Sequence, residues 1–84
     1  MSRVALNEEE ISSVIGGFIE YKYSPSRGYG LAWINQEDDP EAAKIRYKFT
    51  DYDAFTTRFE QLYQKYGDYG ILQALEREGL CQRV

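Results

Sequence analysis

At residue 50 the apolar pattern of this chain changes period, and that change limits the fold more than any other feature. Upstream, Lys44-Ile45-Arg46-Tyr47-Lys48-Phe49 alternates strictly between charged and apolar residues, the two-residue repeat of a strand with one buried face. Downstream, Tyr52, Phe55, Phe59, Leu62, Tyr63 and Tyr66 recur at spacings of three and four, which puts them on one face of a helix about four turns long. Sheet first and helix afterwards means helix laid on one sheet face, an α+β plan.

The remaining elements follow from turn chemistry. Residues 6–16 predict a short N-terminal helix. Asn7 would cap it, Glu8, Glu9 and Glu10 would sit in its first turn, and Ile11, Val14 and Ile15 would form its apolar stripe. Gly16-Gly17 would end it. Residues 18–23 and 29–35 predict two strands around the turn cluster Ser24-Pro25-Ser26-Arg27-Gly28. Residues 36–43 form a polar, acidic loop, and residues 44–49 a third strand. Gly67 would stop the helix begun at residue 52, and Asp68 would cap a second one carrying Ile71, Leu72, Ala74 and Leu75 inward. The expected fold is thus a single domain over residues 1–84: a short N-terminal helix, a three-stranded antiparallel meander, and two C-terminal helices packed on one sheet face.

Strand parity then assigns the faces. A five-residue hairpin loop over residues 24–28 sets Tyr23 opposite Tyr29, Tyr21 opposite Leu31 and Ile19 opposite Trp33, all pointing to the core with Ile45, Tyr47 and Phe49. The opposite face would carry Phe18, Glu20, Lys22, Gly30, Ala32, Ile34, Lys44, Arg46 and Lys48, a shallow floor flanked by the one basic region of an acidic chain. With Arg27 in the hairpin loop, the candidate partner-binding residues are Phe18, Lys22, Arg27, Ile34, Lys44, Arg46 and Lys48. Alternating cations on a sheet face also serve solubility and edge protection. Phe18 and Ile34 beside them are what suggest a contact surface.

One stretch carries a family likeness. Arg27-Gly28-Tyr29-Gly30-Leu31-Ala32-Trp33-Ile34 resembles the first ribonucleoprotein signature of RNA-recognition and cold-shock domains, and the cold-shock likeness reaches back through Tyr23-Ser24-Pro25-Ser26. The resemblance implies exposed aromatics that stack on single-stranded bases. Leu31 stands where the second stacking aromatic belongs, and Lys22 where a cold-shock tryptophan would be. By the parity above, Tyr29 points into the core.

Function is narrowed mainly by what is missing. There is no histidine, hence no Ser-His-Asp or Cys-His arrangement and no ordinary zinc site. Cys81 is the one cysteine, so no internal disulfide can form, and a reducing cytoplasm is expected. No charged-then-apolar leader opens the chain and no apolar run approaches about 18 residues, so neither secretion nor membrane spanning is expected. Glu37-Asp38-Asp39 with Glu41 lacks the spacing and glycine of a calcium loop. No enzyme, cofactor or metal site is therefore expected. A net charge of −4 opposes indiscriminate binding to phosphates. Eight tyrosines, more than one small core needs, leave some for contact. The expected function is a small non-catalytic protein-binding module. In size and plan it is analogous to phage or mobile-element inhibitors of host proteins, including anti-CRISPR proteins. The alternatives are a single-stranded nucleic-acid binder using the basic sheet face, or a homo-oligomeric regulatory or structural subunit.

Overall fold

The computed structural model describes residues 10–84. Their elements are β1 (Ile11–Ile15), β2 (Ile19–Ser24), β3 (Tyr29–Ile34), a 3₁₀ turn (Ala42–Lys44), β4 (Tyr47–Phe49), α1 (Tyr52–Arg77) and β5 (Gln82–Arg83). All five strands join one sheet in the order β1-β2-β3-β4-β5, and every neighbouring pair is antiparallel. The fold is α+β, but it departs from the expected plan at both ends. The short N-terminal helix is absent from the described residues, the meander has five strands rather than three, and one long helix replaces two.

The first departure reflects an ambiguous pattern. Ile11, Val14 and Ile15 fit a helical stripe, yet three β-branched residues and two serines are poor helix material and pack well on a pleated surface. Paired with β2, they become a strand. Gly16 turns the chain with φ at 64°, and a Cβ there would lie 2.5 Å from Tyr63 Cε1. The expected cap at Asn7 and the acidic residues Glu8 and Glu9 lie outside the described residues.

The helix is capped by Asp51, whose carboxylate accepts the Ala54 N–H at 3.1 Å. It does not end at Gly67. That residue leaves helical angles (φ 71°, ψ −175°) and kinks α1, which then runs on to Arg77. Asp68 works between elements instead of capping a new helix. Its Oδ1 accepts the N–H groups of Gly17 and Phe18 and the Tyr63 hydroxyl, each at 3.0 Å. The β1–β2 connection is thereby tied to the kinked region of the helix.

The core lies between α1 and one sheet face. Ile19, Tyr21, Ala32, Tyr47 and Phe49 rise from the sheet to meet Phe55, Phe59, Ile71, Leu72 and Leu75 from the helix. The rings are ordered: Tyr23 stacks on Phe49 at 5.8 Å and Phe49 on Phe55 at 4.1 Å. Further along the helix, Phe59 stacks on Tyr63 at 5.4 Å. Such ring pairs add to their area burial.

Burying tyrosine and cysteine makes the fold sensitive to alkali. Burial, then the bond to the Tyr52 hydroxyl, push the Tyr21 phenol up from 10.0 to about 12. Burial likewise pushes the Cys81 thiol up from 9.0 to about 12. Tyr47 is raised too, first by burial and then by Glu76. The unfolded chain gives up these protons at the ordinary values while the folded chain still holds them. Their contribution is therefore complete below about pH 9 and is lost as pH rises towards about 12. The melting temperature should hold level through neutral pH and fall progressively above pH 9. A melting temperature that rises or stays flat between pH 9 and 12 would contradict this packing.

Candidate functional site

The register of the β2–β3 hairpin decides which side chains reach the open face. Ser24 pairs with Tyr29, leaving residues 25–28 as the loop. The Ser24 carbonyl accepts the N–H groups of Arg27 and Gly28 at 3.1 and 2.8 Å, and Gly28 closes the turn with φ at 80°. The loop is one residue shorter than expected, and every β3 side chain changes side relative to β2. Tyr23 faces Gly30, Tyr21 faces Ala32 and Ile19 faces Ile34 on the core side, while Tyr29, Leu31 and Trp33 point away from the helix.

The reason is volume. The Phe49 ring occupies the space above Gly30, with Cζ only 2.7 Å from where a Cβ would be. The aromatics of β2, β4 and α1 fill the core over β3, so β3 supplies its floor with Gly30 and Ala32. Its large residues go to the other face.

That face is rimmed by cations. One row across the sheet reads Ser12, Lys22, Leu31, Lys48 and Gln82, so Leu31 has a lysine on either side. The Lys48 ammonium lies 4.6 Å over the Tyr29 ring, and the Arg46 guanidinium 4.1 Å over Trp33. Arg46 also donates Nε–H to the Ala43 carbonyl at 2.8 Å, which fixes its stem. Under this cover Trp33 is only 8% exposed, although it lies outside the core cluster. Lys22, Ser24, Arg27, Tyr29, Leu31, Trp33 and Arg46 line a shallow depression of roughly 260 Å³, together with one carboxylate, Glu10. Glu20, opposite Trp33, accepts the Asn35 amide at 2.6 Å. The two ion pairs among the described residues, Lys44–Glu41 at 3.2 Å and Arg58–Glu78 at 2.7 Å, leave Lys22, Arg27, Arg46 and Lys48 without a paired carboxylate there.

The expected site residues thus divide. Lys22, Arg27, Arg46 and Lys48 come together on or beside the open face. Ile34 turns inward and packs against the core. Phe18 is half-buried in the β1–β2 connection, its N–H held by Asp68. Lys44 sits in the 3₁₀ turn, paired with Glu41. The sequence reading missed Tyr29, Leu31 and Trp33. The available signal was the loop itself, since Pro25-Ser26-Arg27-Gly28 ends on the glycine that closes a four-residue hairpin turn.

Other features offer less. A groove of roughly 510 Å³ between β1 and the first half of α1 carries Tyr21, Tyr52 and Tyr63, whose hydroxyls are engaged with one another or with Gly17 and Asp68. Cys81 is buried, donates to the Leu72 carbonyl and holds its proton to about 12, which makes it a poor nucleophile at neutral pH. Among the described residues no group of three or more Cys, Asp or Glu could hold a metal ion. No described helix is long and apolar enough to cross a membrane. No protein-family model, curated protein or solved structure matches this chain.

Proposed function

We propose that the domain is a non-catalytic binding module that engages an acidic protein surface through the open face of its sheet. The observation that carries this reading is the set of four cations, Lys22, Arg27, Arg46 and Lys48, that pair with no carboxylate among the described residues and stand around Tyr29, Leu31 and Trp33. Arg, Tyr and Trp are the residues that most often dominate interface energy, and an apolar centre with a polar rim is the usual anatomy of a contact patch. Complementary charge would also speed encounter with an acidic partner and select against basic ones.

A role as an inhibitor of the phage or mobile-element kind, anti-CRISPR proteins included, belongs to the same reading. Its support is this face alone, because the sheet-plus-two-helices plan that suggested it is not the fold. A second reading, single-stranded nucleic-acid binding, is favoured by one observation: Tyr29, the aromatic of the ribonucleoprotein-like stretch, lies on the open face. Against it, cations already lie over the Tyr29 and Trp33 rings. A net charge of −4 also raises the cost of approaching phosphates.

Trp33 is the chain's one tryptophan and lies within the face, so its fluorescence reports occupancy directly. Titration with acidic peptides, poly-L-glutamate among them, should change that emission, with the effect weakening as salt is added. Arg46→Glu combined with Lys48→Glu should leave folding intact and reduce affinity at least tenfold. A response to oligo-U or oligo-dT but not to acidic peptides would replace this reading with the second. No response to either would discard the open face as a site.

A further inference from the structure

Among the described residues, the two edges of the sheet differ in a way that points to a partner. β5 is only two residues long and presents Gln82 and Arg83, a short polar edge of the kind that resists further pairing. β1 is five residues long, Ile-Ser-Ser-Val-Ile, with no charge and no proline, and none of its residues is fully buried. Ile11 and Val14 are 39% and 58% exposed. None of the usual protections of an edge strand is present in it.

The strand is also close to symmetric about its centre. We infer that β1 is a homodimerisation edge, along which two copies of the chain pair antiparallel about a two-fold axis through Ser13 and so join their sheets into one. In that register Ile11 meets Ile15 of the second copy, Ser12 meets Val14 of the second copy, and the two Ser13 residues face each other. No charge opposes a like charge.

Three rows of the existing sheet continue across the junction. Ile34, Ile19 and Ile15 already lie side by side across β3, β2 and β1, and Ile11 of the second copy would extend that isoleucine row. Phe49, Gly30, Tyr23 and Ile11 form a parallel row that Ile15 of the second copy would extend. Between them the row Tyr47, Ala32, Tyr21 and Ser13 would pass through the axis itself. A perpendicular two-fold keeps helix side with helix side. Both helices would lie on one surface and the two cation-rimmed faces would merge on the other. An unrelated extended peptide could satisfy the backbone of β1, but the sequence of β1 itself supplies this side-chain match, which is the argument for a second copy.

Sedimentation of the full chain across a concentration series from low to high micromolar should show a monomer–dimer equilibrium. Val14→Lys should weaken it at least tenfold without loss of fold, because position 14 lies opposite Glu20 and the new ammonium gains a partner there. Cysteine substitution tests the register. Opposed Cα atoms in an antiparallel pair lie about 4.5–5.5 Å apart, within disulfide reach. Ser13→Cys should therefore cross-link to a dimer under mild oxidation. Ser12→Cys or Val14→Cys alone should not, whereas an equimolar mixture of those two should. Buried Cys81 does not compete. A chain that stays monomeric at every concentration overturns the inference. So does a dimer indifferent to Val14→Lys, or cross-linking that is equal at positions 12, 13 and 14.

Discussion

Phe55→Ala should remove about 3–5 kcal/mol of folding stability, read as a lower midpoint in urea with an unchanged slope. The side chain is fully buried and stacks on Phe49 at 4.1 Å, with an interplanar angle of 9°. It also touches the tilted ring of Phe59. Alanine would leave a cavity at the point where sheet and helix are joined, with rigid rings around it that cannot collapse inward. Small domains have only about 5–15 kcal/mol in total, so the loss takes up a large share of the stability. Trp33→Ala offers the internal comparison. Trp33 is nearly as well covered, but by Arg46 and outside the core cluster, so its loss should cost distinctly less. Equal losses at the two sites would contradict the assignment of faces.

Gly30→Val carries the second large effect, and there the direction of change is the test. On the observed register the new Cβ falls 2.5 Å from the Lys22 carbonyl oxygen and 2.8 Å from Tyr23 Cα, both backbone atoms that cannot rotate aside. The Phe49 ring closes the remaining side at 2.7 Å. Overpacking of this kind costs about 1–3 kcal/mol or more, and we expect the upper end because neither backbone neighbour can yield. With the other register Gly30 would face solvent, and valine, a better strand residue than glycine, would stabilise. A stabilised Gly30→Val variant would therefore mean that the open face carries Gly30 and Ala32 after all.

The helical spacing of residues 52–66 marked its element, whereas the alternation of residues 44–49 became a strand only over Tyr47–Phe49: Lys44 ends the 3₁₀ turn, and Ile45, expected in the core, is exposed. Where each pattern held, the period coincides with burial, and the residues concerned supply Tyr47, Phe49, Phe55 and Phe59 to the core. Residues 11–15 misled because Ile11 and Ile15 share a face on either period over so short a run, while Val14 fits only the helical one. What decides for a strand is a pairing partner, β2, and local spacing does not announce partners. Gly67-Asp68 misled for a related reason. The pair has the composition of a stop and a cap, but the carboxylate is used by Gly17 and Phe18, about fifty positions earlier in the chain. At the candidate site, the basic residues of β2 and β4 were legible because they alternate with core residues. The aromatic centre was not, because one residue of loop length reverses a whole strand, and the volume argument that settles it depends on Phe49 and Phe55 from distant segments.

The order of the strands has a kinetic consequence. Each of β1 to β4 lies beside its neighbour in sequence, so the first three pairings close only short stretches of chain. Such contacts cost little loop entropy and favour rapid, early formation of the hairpins. β5 alone must wait, because the whole of α1 separates it from β4. Refolding should therefore proceed from a quickly formed β2–β3–β4 core to a later, slower step. In that step the kinked helix seats on the aromatic face and brings the C-terminal residues to the sheet edge, the last seam of the molecule to close.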